Sequence, residues 1–416
     1  MDYSKDENFC VMPFTHMEIS PRGFSLPCCA FKNERLFSKE QSFTVPHPNV
    51  NTTTLTNIFE KHPFWEKSRK LALENEINPA CIQCHMEEKS GLKSYRINSN
   101  ERYLKYIDIE KEKKKILSLE LKLGAKCNIA CRMCSAQHSN KLLKEDSINA
   151  FGEINKEWIR DMQSKSDWVK GDKFWKQVYD KSRDLVSVKF TGGEPLIIQE
   201  HFAYLKWLSE NNIDPKIGYI TNGTVKLTDD IKDIWKKFSH VHISLSIDAI
   251  GDLEEYIRTG TIWEEKEKNI KDYIEFLGLD DVSFIVTVNS LNVNSIFNLI
   301  KWLENNVGFE NNIIITFNIL MYPEKYDLRN LPDNAKEYIN YKLNNIINTN
   351  SKYPDNILNG MKNIQRSMKR PRSHNINIAD EIIKQEATYK LANKKEISFE
   401  KIEPEWFNII KEGEKC

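Results

Sequence analysis

Ile116-Leu117-Ser118-Leu119-Glu120-Leu121-Lys122-Leu123-Gly124-Ala125-Lys126-Cys127-Asn128-Ile129-Ala130-Cys131-Arg132-Met133-Cys134 is the stretch on which the fold turns. Its first half alternates apolar and polar residues, the period of a β-strand with one face buried. Its second half is a loop that carries three cysteines, spaced C-x3-C-x2-C, at that strand's C-terminal end. Three thiolates on so short a loop can converge on one metal centre, because thiolate is the ligand of zinc and of iron–sulfur clusters. Three ligands instead of four leave a position open for a substrate. The alternative is a zinc knuckle closed by His138.

Working outward, apolar β-branched runs recur at 185–190, 216–220, 241–247, 282–288 and 313–320, with helical patterns between them. Ile296, Leu299, Ile300 and Leu303 have the spacing of an amphipathic helix, and Phe202, Leu205 and Leu208 repeat it over a shorter span. Six strands alternating with helices predict an α/β fold of parallel strands, either a partial (β/α)6 barrel or an open doubly wound sheet. In both, chemistry sits at the strands' C-terminal ends. The longest gap, between the first and second strands, holds Trp158, Trp168 and Trp175 and predicts an inserted helical pair packed through tryptophan. Residues 105–115 are dense in charge and predict a linker. The expected segments are therefore an N-terminal domain over 1–104, the linker over 105–115, a core over 116–322 and a helical extension over 323–416, where Ile339, Leu343 and Ile346 share a face.

Composition narrows the function classes. The chain has 416 residues, with 60 Lys+Arg against 60 Asp+Glu and a formal net charge of zero. That balance argues against a dedicated nucleic-acid or acidic-membrane binder. The polar start lacks the basic and apolar regions of a signal peptide, and no apolar run approaches a membrane span, so a cytoplasmic protein without membrane partners is expected. Of nine cysteines, all but Cys416 fall in the first 134 residues. Such clustering at short spacings points to metal or redox chemistry.

The next strand end reads Val188-Lys189-Phe190-Thr191-Gly192-Gly193-Glu194-Pro195. Paired glycines permit close backbone approach, and Glu194 adds a carboxylate at the same end. Together with the cysteine loop, this motif resembles the radical SAM superfamily. The resemblance implies that Cys127, Cys131 and Cys134 hold a 4Fe-4S cluster whose fourth iron chelates S-adenosylmethionine. Glu194, after Gly192 and Gly193, would accept a hydrogen bond from the cofactor's amino group. Met133 stands where the family usually has an aromatic residue against the adenine, and thioether–aromatic contact can substitute. Ser246 and Asp248 match the family's ribose-binding strand end, Arg258 the methionine carboxylate, and Asn289 the adenine side. The implied reaction is reductive cleavage of S-adenosylmethionine to a 5′-deoxyadenosyl radical that abstracts hydrogen from a substrate. An external one-electron reductant of the flavodoxin or ferredoxin type would feed it.

Further toward the N-terminus, Cys10, Gly23 and Cys28 are spaced C-x12-G-x4-C, and Cys81-Ile82-Gln83-Cys84 adds a C-x2-C. Four thiolates suffice for a tetrahedral zinc site or a second iron–sulfur cluster, with Cys29 as an alternative to Cys28 or a free thiol. Ser20-Pro21-Arg22-Gly23 is a turn signal that would fold Cys10 back toward Cys28. His16 and His85 are expected to pack, not to ligate. The segment resembles the auxiliary-cluster SPASM or twitch domain, and Cys81 to Arg96 looks like twitch-type radical SAM proteins of phages and marine bacteria. The resemblance implies oxidative modification of a peptide, a protein side chain or a small molecule. The rival reading is a non-catalytic zinc or iron–sulfur interaction protein.

Overall fold

A computed structural model describes residues 3, 7–32, 36, 47–89, 91, 93–112, 114–308, 313–349, 353–372 and 374–414. Lys113, in the expected linker, and Cys416 lie outside the described residues. Ten strands form: β1 (His16–Ile19), β2 (Ser25–Leu26), β3 (Ser118–Lys122), β4 (Ala130–Cys131), β5 (Ser187–Thr191), β6 (Lys216–Thr221), β7 (Val241–Ser246), β8 (Arg258–Thr259), β9 (Val282–Val288) and β10 (Ile314–Ile319). All six expected strands are among them, as β3, β5, β6, β7, β9 and β10, alternating with helices as a partial (β/α) barrel does. The class is α/β with mostly parallel pairing. By compactness the chain divides into two units that interleave along the sequence, and so cut across the linear segments expected above. The first comprises Met1–Lys126, Gln163–Tyr219 and Asp233–Val241; the second comprises Cys127–Met162, Ile220–Lys232 and His242–Cys416.

In the first unit the strand order is β2-β1-β3-β5-β6. β1 and β2 form an antiparallel hairpin around Ser20-Pro21-Arg22-Gly23, where Gly23 takes the left-handed φ of +82° that the turn needs. β1 then lies parallel to β3, with His16 opposite Ser118 and Glu18 opposite Glu120. The N-terminal segment is therefore not held apart by a charged linker. An unpaired β3 would leave a row of N–H and C=O groups open, and β1 closes that edge. The supposed linker is itself anchored: Ile107 and Ile109 are buried, and Lys115 N–H donates to the carbonyl of Phe14.

Strand alternation splits this unit's sheet into two chemically opposite faces. Met17, Ile19, Leu119, Leu121, Val188, Phe190, Ile217 and Tyr219 are buried on one side. The helix Gln199–Glu210 covers part of that side through His201, tilted against Phe190, and Tyr204, edge-on to it. The other side is polar: His16, Glu18, Ser118, Glu120, Lys122, Ser187 and Lys189. Trp168 and Trp175 pack as expected, with their indole N–H groups donating to the carbonyls of Pro21 and Val169.

In the second unit β7, β9 and β10 run parallel in that order, and the ribbon β4–β8 stands apart. Helix Ile296–Asn306 buries Ile296, Leu299, Ile300 and Leu303. The C-terminal helices are built in, not appended. Helix Asp355–Met368 lies along β10, where Asn356 Nδ2 donates to Ile313 O at 3.1 Å. Trp406 Nε1 donates to Ser290 O at 2.8 Å. Among the described residues, no helix is long and apolar enough to cross a membrane.

Two buried histidines of the first unit make stability depend on pH. His16 shares a hydrogen bond with Ser118 Oγ, and His201 bridges Ile198 O and the Tyr219 hydroxyl. Burial lowers His16 to about 4 and His201 to about 3, so both stay neutral in the folded chain at pH 5 while the unfolded chain takes up protons. The unfolded state then binds more protons, so the stabilisation is complete above the unfolded value and is lost as pH falls through the folded ones. Between pH 7 and pH 5 each histidine should cost about 2 kcal/mol of unfolding free energy. Urea titrations at the two pH values should show this loss, and His201→Gln should roughly halve it; a pH-independent midpoint would contradict the assignment.

Candidate metal centres

β3 delivers the chain to Gly124-Ala125-Lys126, and the cysteine loop follows. In the second unit, Cys127 N–H donates to Asn140 Oδ1 at 3.0 Å, and Arg132 N–H donates to Ile257 O at 2.7 Å. β4 pairs with β8, placing Cys131 opposite Arg258. The loop is thus tied by one hydrogen bond to a side chain and one to neighbouring backbone. Its three thiols are close enough to influence one another: Cys131 is pushed up to about 11, first by burial and further by Cys127, and Cys134 is raised by burial, Cys131 and Cys127. Two donors face the sulfurs. Arg258 Nη1 lies 3.7 Å from Cys131 Sγ, and Asn222 Nδ2 lies 4.0 Å from Cys127 Sγ. Buried thiols near cationic and amide donors are the environment a metal-bound thiolate requires.

Beneath the loop runs a buried ionic network. Arg258 Nε pairs with Asp248 Oδ2 at 2.8 Å and Glu254 Oε1 at 3.6 Å, and Lys266 pairs with Glu254. Two cations meet two carboxylates, so no net charge is left in low dielectric. Arg132 is likewise almost wholly buried, paired with Glu145 Oε2 at 3.4 Å and seated over Tyr389 at 4.6 Å. Gln385 Nε2 donates to Arg132 O at 3.5 Å, so helix Ile378–Asn393 of the supposed extension braces the cysteine loop. Glu145, Glu254 and Lys266 stand out in no sequence pattern. Arg132 alone carried a signal, as the charged residue inside the motif.

Asp248 and Asn289 are not presented to a ligand. Both are fully buried: Asp248 Oδ1 accepts from Thr287 N–H at 2.7 Å, Asn289 Nδ2 donates to Thr287 O, and Asn289 Oδ1 accepts from Leu291 N–H. They brace the ends of β7 and β9. Arg258, expected at a methionine carboxylate, spends its guanidinium on Asp248 and Cys131. Ser246 and Met133 remain half-buried.

In the first unit the two glycines have a definite task. Gly192 has φ +119°, and a Cβ there would lie 2.6 Å from Leu123 N; at Gly193 it would lie 2.1 Å from Lys126 O. Gly193 N–H donates to Gly124 O, and Glu194 N–H donates to Lys126 O at 2.9 Å. The close approach they permit is to the chain's own backbone, immediately before Cys127. Glu194 is fully buried, with Oε1 accepting from Leu196 N–H at 3.1 Å.

Also in the first unit, Cys10, Cys28, Cys81 and Cys84 share one neighbourhood. Cys10 is raised to about 12 by burial, with Cys84 adding to it; Cys28 is raised by burial, Cys10 and Cys81; Cys81 is raised by burial, Cys10 and Cys84. Backbone N–H groups of Met12, Ala30 and Arg96 hydrogen-bond the sulfurs of Cys10, Cys28 and Cys84 and favour their thiolates. Helix Tyr95–Tyr103 holds the set together. Arg96 Nη1 and Asn100 Nδ2 donate to Phe9 O, Val11 N–H donates to Asn100 Oδ1, and Arg96 pairs with Glu88 at 2.6 Å. Cys29 belongs elsewhere. It is exposed, and after burial its strongest neighbours are Glu120, Glu18, Lys189 and Lys122. His85 lies 3.9 Å from Glu88, and His138 is exposed. Among the described residues, no three Cys, His, Asp or Glu side chains are gathered to hold a metal ion.

Residues 10–85 match the SPASM family, an iron–sulfur cluster-binding domain. The C-x3-C-x2-C loop and the Gly-Gly-Glu-Pro strand end lie on the same chain, beyond the matched residues. No curated protein is recognisably similar in sequence. Among solved structures, the chain has 18% identity and a TM-score of 0.36 to native anSMEcpe with bound AdoMet, covering 56% of this chain and 62% of that one. Streptococcus suis SuiB bound to S-adenosylmethionine gives 14%, 0.34, 71% and 62%. TYW1 with a lysine-pyruvate adduct bound gives 15%, 0.26, 44% and 61%. The chain thus spans less than two thirds of the length of each.

Within the SPASM domain the matched span ends at His85, just short of Glu88 and Arg96, which do the bracing. At the Gly-Gly-Glu-Pro strand end the tightest steric constraint falls on Gly193. Gly193→Ala should destabilise the first unit by about 1–3 kcal/mol through overpacking against Lys126 O. Denaturant unfolding measures that cost, and iron retained after gel filtration should fall with it. Wild-type stability in the variant would show that the close approach is dispensable.

Proposed function

We propose that this protein is a radical SAM enzyme in which Cys127, Cys131 and Cys134 hold the cofactor-binding cluster, and Cys10, Cys28, Cys81 and Cys84 hold an auxiliary cluster. The reading rests on one observation above all. Arg258 Nη1 and Asn222 Nδ2 donate toward the sulfurs of Cys131 and Cys127 on the C-x3-C-x2-C loop. When bound there, a 4Fe-4S cluster with S-adenosylmethionine supplies one-electron reductive cleavage and a strong hydrogen-atom abstractor.

The chain's own residues prepare that chemistry. Arg258 and Asn222 offset negative charge on thiolates that burial would otherwise disfavour, and hydrogen bonds to sulfur set a cluster's potential. The Asp248–Glu254–Lys266 set fixes the Arg258 guanidinium, so its donors are aimed before any cofactor arrives. Glu194, assigned to the cofactor's amino group, is a buried carboxylate with one oxygen already held by Leu196 N–H. A charged acceptor fixed in this way suits an amino donor. Ser246, half-exposed on β7, is assigned to the ribose. The auxiliary cluster is assigned to electron transfer from, or binding of, the substrate. The substrate is a peptide or protein side chain or a small molecule, and the reductant is a flavodoxin- or ferredoxin-type protein.

Anaerobic reconstitution should yield about eight irons per chain, as two four-iron clusters require. Cys127→Ala with Cys131→Ala should halve that content and abolish reductive cleavage of S-adenosylmethionine. Cys81→Ala with Cys84→Ala should leave slow, uncoupled 5′-deoxyadenosine formation. Zinc in place of iron at Cys10, Cys28, Cys81 and Cys84 would remove the auxiliary cluster from the mechanism. A folded, iron-loaded protein that never cleaves the cofactor would favour the non-catalytic reading instead.

A further inference from the structure

The polar face of the first unit's sheet is unusual in what it buries. Glu18 and Glu120 stand directly opposite each other on β1 and β3, 1% and 5% exposed, and Lys189 stands opposite Glu120 on β5. Lys122 Nζ lies 2.6 Å from Glu18 Oε1. Glu18 Oε2 is buried and finds no hydrogen-bond partner among the described residues, and the same is true of His16 Nε2 one layer below. An orphaned carboxylate oxygen in low dielectric is costly unless something satisfies it. Glu120 is loosely held as well, since its partner Lys189 approaches only to 3.5 Å and keeps a side chain 42% exposed. The layer below is closed: His16, Ser118, Ser187 and Tyr103 are hydrogen-bonded in sequence across three strands. Cys29, which is exposed, has Glu120 and Glu18 among its electrostatic neighbours, and Tyr95, 38% exposed, has Cys29 and Glu120 among its own. The face is therefore floored by that layer and carries buried acceptors in its middle.

We propose that this face binds a ligand carrying an aliphatic primary ammonium group, received between Glu18 Oε2 and Glu120, with Lys189 displaced into solvent. The charges dictate the sign of the ligand. Glu18 and Glu120 are buried, whereas Lys189 is the most exposed member of the two ion pairs. An incoming cation can take Lys189's place without leaving net charge behind. An incoming anion would meet two carboxylates that cannot withdraw. Cys29, the residue after Cys28, is an electrostatic neighbour of Glu120 and Glu18, and the proposal deepens the radical SAM reading by naming a substrate class. A lysine side chain of a peptide and a free alkylamine share this chemistry.

The test is calorimetric titration of the anaerobically purified full chain, without reductant or S-adenosylmethionine, so failure of the cleavage reading leaves it intact. The probes are N-acetyl-L-lysine methylamide, its neutral norleucine counterpart and pentylamine. The lysine probe should bind about tenfold more tightly than the norleucine probe. Lys189→Met, which removes the competing cation, should strengthen lysine-probe binding by about threefold. Glu18→Gln with Glu120→Gln should abolish the preference; should that variant not fold, Lys189→Met decides alone. Tighter binding of the lysine probe than of pentylamine assigns a peptide source, and the reverse assigns a free amine. Equal binding of the lysine and norleucine probes, or a Lys189→Met variant with unchanged affinity, overturns the proposal.

Discussion

Burying a thiol sulfur is the constraint on which much of this structure depends. Six of the seven assigned cluster cysteines are held up in pKa with burial as the leading cause. Left alone, such thiols would be neutral and poor ligands. The chain answers with donors aimed at sulfur, of different kinds in the two places. Around Cys10, Cys28 and Cys84 they are backbone amides, fixed by short turns and by the helix that carries Arg96. Around Cys127 and Cys131 they are the side chains of Asn222 and Arg258. Side chains have to be positioned, and this explains the size of the ionic network behind Arg258. Asp248, Glu254 and Lys266 are fully buried charges whose pairing leaves the guanidinium one orientation. Asp248 has one oxygen engaged by Thr287 N–H and the other by Arg258.

Backbone closeness is the second organising feature. The pair Gly192-Gly193 lets the end of β5 continue its ladder along Gly124 to Lys126, so the approach to Cys127 is set by main chain. No side chain fits there. The hairpin β1–β2 works in the same manner at the other edge of β3. It places Cys10 and Cys28 on either side of a two-strand turn, and it brings Glu18 onto the sheet face that Glu120 and Lys189 already occupy. Covering an open strand edge and assembling a polar face are one act.

Much of this was legible in the order of residues. The period-two alternation over 116–123, its five repeats downstream and the cysteine spacings are local properties, so the strands, the turn at residues 20–23 and the two cysteine sets could be read directly. Local patterns also named the tryptophan packing. They failed where a residue's partner is distant in sequence. Nothing near Asp248 announces Arg258 and Thr287, so a polar strand end looked like a ligand site. Nothing in the charged run 105–115 announces that Ile107 and Ile109 are buried, so an anchored segment looked like a linker. The extension after 323 looked peripheral because its contacts, Gln385 to Arg132 and Trp406 to Ser290, span more than 100 residues.

The sequence by itself determined the α/β class and the strands at the core of the sheet, because hydrophobic period is written over a few consecutive residues. Tertiary structure alone decided which polar residues are consumed internally, which face of the first unit's sheet carries charge, and that Cys29 is exposed while its neighbour Cys28 is buried. The physical reason is that burial and charge pairing are properties of three-dimensional neighbourhoods. Adjacent residues in a chain can point to opposite environments, and a carboxylate's role is fixed by the donor that reaches it.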